Sequence, residues 1–186
     1  FNTMQLKLDT NKDIDQELSG TTCVSILFCS NKIISANVGD SRAIMGKLIG
    51  NEWKFETLSR DHKPDDKDES ERIYSCSGVV HSFIDDEDNY LGPDRVWQVD
   101  DELPGLAMSR SLGDKVAKNV GVIQEPEVKI FEYNEADKFV VIASDGLWEY
   151  VSNEEVWDIV SFFYEVKDCD GAVSKLYEEA YKRWVK

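Results

Sequence analysis

Two closely spaced pairs of β-strand runs constrain the fold more than any other feature of the sequence. Residues 22–29 and 32–38 favour extended structure and are separated by a short turn, and residues 42–48 and 52–58 form a second pair of the same kind. Such pairs predict antiparallel hairpins, because a tight turn brings consecutive strands side by side. The first third of the chain is therefore expected to be β-structure.

The middle of the chain continues this pattern with one helix inserted. Residues 68–76 predict a short helix, whereas residues 79–84, 127–132 and 138–144 predict further strands. The last of these is apolar enough to be buried on both of its faces. Residues 91–106 contain two prolines and two glycines, and we expect them to be irregular.

The last quarter of the chain changes to helical periodicity. Ser152 and Glu155 have the spacing of a capping box, which predicts the start of a helix. A second helix is expected from about Gly171. Apolar residues recur on one face of each helix: Val156, Ile159, Val160 and Phe163 in the first, and Val173, Leu176, Tyr177, Ala180 and Trp184 in the second. Strands followed by helices predict an α+β fold with a largely antiparallel sheet.

Composition and charge restrict the function classes. Of the 186 residues, 41% are hydrophobic, which excludes a disordered acidic tail. The net charge of −16 argues against nucleic acids and anionic membranes as partners, since both require a basic surface. No apolar run is long enough to span a bilayer. Four cysteines without C-x-x-C spacing predict reduced core thiols and an intracellular protein, cytoplasmic and/or nuclear.

Two aspartates at strand ends are the candidates for metal chemistry. Asp145 follows the apolar strand 138–144 and precedes a glycine, and Asp40 follows strand 32–38 in a Gly-Asp pair. A carboxylate at the end of a strand is held on rigid backbone with its oxygens exposed, as hard divalent cations require. Each aspartate could instead be an ordinary turn or cap residue, and the spacing alone favours that alternative.

Other polar residues admit both catalytic and structural interpretations. Arg42 could bind a phosphate or pair with a nearby aspartate. The hydroxyls of residues 19–22 could supply a nucleophile, but no base lies near them in sequence, and turn formation is preferred. His62 could act as a general base, although a structural turn is favoured. Trp148 and Trp184 are expected in the core.

Seven short blocks in order resemble the type 2C branch of the metal-dependent protein serine/threonine phosphatases. Single blocks are weak signals, but seven in the family's order are highly specific, and the resemblance extends from about Ser19 to about Val160. The blocks are Ser19-Gly-Thr-Thr22, Ala36-Asn-Val-Gly-Asp-Ser-Arg42, Asp61-His-Lys-Pro64, Glu71-Arg-Ile73, Leu106-Ala-Met-Ser-Arg-Ser-Leu-Gly-Asp114, Pro126-Glu-Val128 and Ala143-Ser-Asp-Gly-Leu-Trp148.

The resemblance implies an antiparallel β-sandwich flanked by helices in α-β-β-α layers, with a metal centre at one end. It implies hydrolysis of phosphoserine and phosphothreonine in proteins by a water activated between two Mg²⁺ or Mn²⁺ ions, without a protein nucleophile. Asp145 matches a metal ligand of the family, and Asp40 matches the ligand of a weaker third metal. Residues 79–104 match the flap beside the active site, whose acidic stretch 85–88 could favour basic substrates or be a solvated loop.

The sequence also departs from the family. The family's amino-terminal blocks, which include an Asp-Gly-His-Gly-Gly run with a metal-ligand aspartate and a general-acid histidine, are missing. The closing Asp-Asn block, which gives another metal ligand, is missing too, and Glu149 stands where an aspartate is usual. We therefore interpret residues 1–18 as a linker or remnant and residues 19–186 as an incomplete catalytic domain. No catalytic residue other than the metal ligands is identifiable. The chain alone is expected to be inactive, with a pseudophosphatase scaffold as the alternative, and its exposed sheet edges predict self-association.

Overall fold

The computed structural model describes residues 1–99 and 103–185, which divide into two compact units. Each unit combines segments that are distant in sequence. The first unit comprises Phe1–Cys23, Asn37–Asp40 and Asp61–Glu127, and the second comprises Val24–Ala36, Ser41–Arg60 and Val128–Lys186.

The order of the elements is mixed, with strands preceding most helices. Over the described residues it is α1 (Asn2–Thr10), β1 (Gly20–Thr21), β2 (Cys23–Cys29), β3 (Lys32–Val38), β4 (Arg42–Ile49), β5 (Glu52–Thr57), α2 (Lys67–Ser75), β6 (Gly78–Ile84), β7 (Tyr90–Gln98), β8 (Pro104–Leu106), β9 (Leu112–Gly113), α3 (Lys115–Lys118), β10 (Glu127–Glu132), β11 (Asp137–Ala143), α4 (Asp145–Trp148), α5 (Asn153–Val166) and α6 (Cys169–Trp184). The predicted α+β class is confirmed.

Two three-stranded sheets form the sandwich of the second unit. Their strand orders are β10-β3-β2 and β11-β4-β5, and β4 pairs antiparallel with both of its neighbours. Both predicted hairpins are present. Side chains from the two sheets meet in one buried cluster, where each fully buried aliphatic side chain contributes roughly 1.5–3 kcal/mol. The cluster consists of Ile33, Ala43, Met45 and Leu58, with Val24, Ile26, Phe131 and Val140 packed against it.

Three helices pack near the β11-β4-β5 sheet through a separate apolar cluster. Its buried members are Ile44, Trp148, Val151, Val156, Leu176 and Ala180. The predicted capping box starts α5: the Glu155 N–H donates to Ser152 Oγ at 3.2 Å, and the Ser152 N–H donates to Glu155 Oε2 at 3.0 Å. Among the described residues, no helix is long and apolar enough to cross a membrane.

Two expectations of burial in this unit are wrong. Strand β11 contacts an apolar cluster on each face, through Val140 on one and Val141 on the other, but it is only partly buried, and Ile142 is 49% exposed. Trp184 is 67% exposed rather than part of the core, and Val173 and Tyr177 are exposed beside it. The apolar face of α6 is wider than the surface that the unit covers, which helical periodicity alone does not reveal.

The first unit contains the β6-β7-β8 sheet, with α2 and α3 packed against it. Its buried core is formed by Ile73, Val96, Ala117, Val120 and Val122. The predicted helix 68–76 and strand 79–84 correspond to α2 and β6.

The expectation that residues 91–106 are irregular is wrong over their described part. Strand β7 pairs with β6 along most of its length, and β8 pairs with β7. The register shifts after Ser82, so that Gly92 and Pro93 have no partner in the ladder. A proline cannot donate a ladder hydrogen bond, and a bulge accommodates it. Strand β7 therefore continues through the Gly92-Pro93 pair, although such a pair is typical of the end of a strand.

The cysteines are free thiols, as predicted, but they are not core residues. Cys23 is partly buried, whereas Cys29, Cys76 and Cys169 are exposed. The exposed three lie at the ends of β2, α2 and α6, where the chain leaves or enters a packed element. Apolar neighbours in sequence therefore do not imply burial at the end of an element.

Candidate functional site

The Gly39-Asp40 turn leaves strand β3 in a conformation that requires glycine. Gly39 has a φ of +96°, and a Cβ at this position would overlap the side chain of Thr22. The close approach brings the Ser19–Thr22 block against the turn that carries Asp40. Asp40 itself is only 3% exposed. This candidate carboxylate is therefore held on a rigid and largely buried turn.

Two consecutive residues of the Asp61–Pro64 block contact the same turn. The Gly39 N–H donates to His62 Nδ1 at 3.1 Å, and the His62 N–H donates to the Gly39 carbonyl, also at 3.1 Å. Lys63 Nζ lies 2.7 Å from Asp40 Oδ2. His62 is completely buried. An imidazole held in this way cannot accept a substrate proton at Nδ1, which supports the structural interpretation over the general base.

The Ser19–Thr22 block also pairs with the block that ends at Asp114. Strands β1 and β9 form a short antiparallel ladder, and the Asp114 N–H donates to the Ser19 carbonyl at 2.9 Å. A Cβ on Gly20 would overlap the Asp114 carboxylate. The hydroxyl of Thr21 donates to the carbonyl of Thr22 at 3.0 Å. These contacts support turn and strand formation rather than nucleophilic catalysis.

A buried carboxylate that the sequence analysis missed joins two further blocks. Glu69 lies on α2 and is inaccessible to solvent. Arg72 Nη2 and Arg110 Nη2 each lie 2.6 Å from one of its oxygens, and the hydroxyl of Ser109 donates to it. Burial alone would raise the pKa of Glu69, but the hydrogen bonds from Arg72, Arg110 and Ser109 outweigh it and hold this pKa well below the usual range. The only signal of this cluster in the local sequence is Arg72, which lies three residues after Glu69 on α2 and can therefore pair with it.

Asp145 lies where strand β11 ends, as predicted, and it is exposed. Trp148 fixes this strand end: its Nε1–H donates to the carbonyl of Ala143 at 2.9 Å and to that of Arg42 at 3.0 Å. The guanidinium of Arg42 lies 5.2 Å from the centre of the Trp148 ring, and its Nη1 donates to Asn153 Oδ1 at 2.7 Å. These contacts give Arg42 a structural part in holding the turn that presents Asp145.

A groove of about 610 Å³ runs past Asp145 in the second unit. Apart from Asp145, Glu149 and Ser144, most of its lining is apolar and aromatic. The exposed lining residues include Ile142, Val173, Tyr177, Tyr181 and Trp184. The groove thus combines the candidate carboxylate with an uncovered apolar surface along α6.

The described residues do not form a complete metal centre. Within residues 1–99 and 103–185, no three His, Cys, Asp or Glu side chains are grouped so as to hold a metal ion. Asp40 belongs to the first unit and Asp145 to the second. Both supply carboxylate oxygens, which suit Mg²⁺ and Mn²⁺, but each carries at most two of the six ligands that such ions require.

Comparison with known proteins gives the family. The family description "Protein phosphatase 2C" matches residues 2–186, which is nearly the whole chain. The chain belongs to the protein phosphatase 2C family. It is 38% identical over 184 residues to "Probable protein phosphatase 2C 65" and 39% identical over 190 residues to "Probable protein phosphatase 2C 73", both of Arabidopsis thaliana. Each alignment covers 99% of this chain, but only 46% and 48% of those relatives.

Solved structures show the same fold. A serine-threonine phosphatase 2C from Toxoplasma gondii superposes with a TM-score of 0.83 at 22% identity, covering 98% of this chain and 60% of that one. A sex-determining protein of C. elegans gives a TM-score of 0.68 at 19% identity, covering 95% of this chain and 47% of that one. The sandwich is therefore a phosphatase 2C fold, and the chain spans about half the length of the curated relatives it matches.

Proposed function

We propose that the chain is part of an enzyme that hydrolyses phosphoserine and phosphothreonine in proteins. The observation that carries this proposal is the exposed Asp145 carboxylate at the end of β11, in a chain that belongs to the protein phosphatase 2C family. Trp148 holds the strand end below it, so the carboxylate is presented on fixed backbone. Phosphorylated proteins are accordingly the proposed substrates.

We propose Mg²⁺ or Mn²⁺ as the cofactor, with Asp145 as a principal ligand and Asp40 as the weaker, third-metal ligand. When bound, such ions supply activation of water and neutralisation of phosphoryl oxygens. The chemistry of the two carboxylates supports this choice, whereas the described residues of neither unit group three possible ligands and therefore do not complete the centre.

The full-length gene product provides the test of this function. We expect it to release phosphate from a phosphothreonine peptide in the presence of Mn²⁺, and we expect Asp145→Asn to reduce turnover by at least about a hundredfold, as loss of a metal ligand or its support does. Asp158→Asn, the same substitution at an exposed position of α5 outside the groove, is the matched control. A full-length protein with unchanged turnover after Asp145→Asn would refute the assignment.

A pseudophosphatase that keeps the fold as a binding module is the second candidate. The observation that favours it is that the described residues contain no three-ligand metal cluster. The complete transcript distinguishes the two functions. An upstream Asp-Gly-His-Gly-Gly block together with a downstream Asp-Asn block would exclude the scaffold, and the absence of both would exclude the enzyme.

We propose that residues 79–104, which include most of β6 and all of β7, form the flap, a surface for substrate contact. The acidic stretch 85–88 forms the turn between β6 and β7. Asp85 accepts hydrogen bonds from the main-chain N–H groups of Glu87 at 2.8 Å and of Asn89 at 2.9 Å. These bonds support the turn interpretation for Asp85 and leave its neighbours as the residues that could attract a basic substrate.

We propose that the chain also self-associates, and that a second copy covers the groove beside β11. This strand is at the edge of its sheet, and an edge strand can pair with another strand. The apolar surface along α6 adjoins that edge. Both features allow a second copy to add strand pairing and apolar burial at the same place.

Sedimentation velocity tests the self-association. We expect the chain to form dimers as its concentration rises, and we expect Tyr177→Glu, at an exposed groove position, to shift the dissociation constant upward by at least about tenfold. Tyr90→Glu is the matched control, because Tyr90 is 70% exposed in the other unit and Tyr177 is 67% exposed. A monomer at high concentration that binds no hydrophobic dye would contradict the proposal.

We propose an intracellular location, cytoplasmic and/or nuclear. The support is chemical: all four cysteines are free thiols, and three of them are exposed. Exposed thiols persist in the reducing environment inside cells, whereas secreted proteins usually pair them in disulfides.

A further inference from the structure

We propose that His62 is a positioning residue for Asp40, acting as a neutral hydrogen-bond acceptor rather than as an acid or base. This inference rests on the proposed function only in taking Asp40 as a metal ligand. The contacts that carry it lie entirely within the first unit.

His62 fixes the backbone of the turn from two sides. Its ring nitrogen Nδ1 accepts the Gly39 N–H, and its own main-chain N–H donates to the Gly39 carbonyl. The carbonyl also accepts a hydrogen bond from Asn37 Nδ2 at 3.0 Å. Because both the N–H and the C=O of Gly39 are held, the peptide planes on either side of this residue have little freedom to rotate. The direction in which the next residue, Asp40, projects is then determined.

Gly39 depends on this support because its conformation is unusual. Its φ of +96° lies in the left-handed region, and glycine loses more backbone entropy than any other residue when it is ordered there. A turn of this kind moves easily unless its hydrogen-bonding groups are satisfied. The buried imidazole provides that constraint from inside the unit, where water cannot compete for the Gly39 N–H.

The hydrogen bond also determines the state of the ring. An imidazole nitrogen that accepts a hydrogen bond carries no proton, so in the neutral ring the proton resides on Nε2. Nε2 lies 3.9 Å from Glu127 Oε2, which places a carboxylate on the protonated side. A ring protonated on Nδ1 would direct an N–H group at the Gly39 N–H. The acceptor role therefore requires this tautomer.

The position of Lys63 follows from the hydrogen bonds between His62 and Gly39. Because His62 is bound to Gly39 through its main chain, the following residue is brought beside Asp40, and Lys63 Nζ reaches Asp40 Oδ2 at 2.7 Å. The side chain of Lys63 is 38% exposed, whereas that of Asp40 is nearly buried. The hydrogen-bonded pair of His62 and Gly39 thus fixes both the backbone conformation at Asp40 and the position of its counter-ion, Lys63.

Replacing His62 by asparagine or by leucine in the 186-residue chain tests the proposal, because these two side chains have nearly the same shape as each other. Asparagine places an acceptor oxygen near the position of Nδ1, whereas leucine has similar volume and no acceptor. We expect the Gly39 amide proton of His62→Leu to exchange at least about tenfold faster than that of the wild type, and that of His62→Asn to stay within about threefold, as the loss or retention of one hydrogen bond implies. In the ¹⁵N-labelled wild type, we expect a scalar coupling across the hydrogen bond between the Gly39 nitrogen and His62 Nδ1.

The outcomes separate positioning from simple packing. Absence of the coupling, or equal protection of Gly39 in both variants, would overturn the proposal. If His62→Leu fails to fold while His62→Asn folds, the requirement for an acceptor is supported, whereas unfolding of both would overturn it.

A second readout distinguishes this inference from the proposed function. In the full-length gene product, millimolar Mn²⁺ should broaden the Asp40 amide resonance of the wild type and of His62→Asn more than that of His62→Leu. If Mn²⁺ leaves the wild-type resonance unchanged, the metal role of Asp40 fails, and the Gly39 exchange and coupling data still decide the role of His62.

Discussion

The substitution Glu69→Gln is expected to lower the free energy of unfolding by about 3–5 kcal/mol, the range found when one partner of a buried ion pair is removed. Glu69 is inaccessible and lies 2.6 Å from both Arg72 and Arg110. The glutamine retains the shape of the side chain but not its charge. It would leave both guanidinium groups without a carboxylate and direct an amide N–H₂ group toward one of them.

The pH dependence provides a second signature of Glu69. The pKa of Glu69 is lowered by its arginine and serine partners despite its burial, so its carboxylate stabilises the folded state above the pKa of an unfolded glutamate, about 4.3. That contribution is lost as the pH falls below this range. Urea denaturation from pH 7 to pH 3 should therefore show a steeper loss of stability in the wild type than in Glu69→Gln.

Glu71→Gln is the control for this experiment. Glu71 is on the same helix, its side chain is 67% exposed, and its nearest lysine, Lys67, is 4.0 Å away. Its replacement should change stability by less than about 0.5 kcal/mol. If Glu69→Gln proved equally mild, the buried cluster would not be a stabilising feature of the first unit.

Trp148→Ala is expected to destabilise the chain by about 3–5 kcal/mol, as truncation of a buried tryptophan does. Trp148 is 7% exposed in the core between the helices and β4. The substitution creates a cavity and also removes the donor that the carbonyls of Arg42 and Ala143 share. Since Ala143 is two residues before Asp145, the strand end that carries the candidate ligand should also loosen.

Trp184→Ala is the same substitution at an exposed position. Trp184 is 67% exposed, and its loss should change stability by less than about 0.5 kcal/mol. Urea denaturation of both variants at low protein concentration, where self-association does not contribute, measures the difference. Equal destabilisation by the two substitutions would contradict the described packing of α4 and α6.

The sequence predicted the local elements of this fold well. The hairpins β2–β3 and β4–β5 follow from short apolar runs and tight turns, and the capping box at Ser152 marks the start of α5. These signals succeed because they depend on residues close together in sequence. The order of the seven blocks then identified the family, which local patterns alone did not.

Features that depend on distant residues could not be predicted in this way. The exposure of Trp184 and Ile142 depends on which surfaces are covered, and helical or strand periodicity does not contain that information. Strand β7 was missed because Gly92 and Pro93 resemble a break, although a bulge opposite β6 accommodates them. Glu69 was missed because Arg110, one of its two arginine partners, lies 41 residues away.

The candidate site was predictable to a similar extent. Asp145 at the end of β11 was recognisable from an apolar run followed by Asp-Gly, and the structure places it there. The contacts around Asp40 were not, because the proximity of residues 39 and 62 arises from the fold. The metal-ligand roles of Asp40 and Asp145 remain predictions.

The most direct test of the central claim is phosphopeptide hydrolysis by this 186-residue chain with Mn²⁺. The chain has the protein phosphatase 2C fold, but its described residues contain no three-ligand metal cluster. We therefore expect phosphate release at the background rate, unchanged by Asp145→Ala. Mn²⁺-dependent turnover that Asp145→Ala abolishes would contradict the claim that this chain holds only part of the catalytic centre.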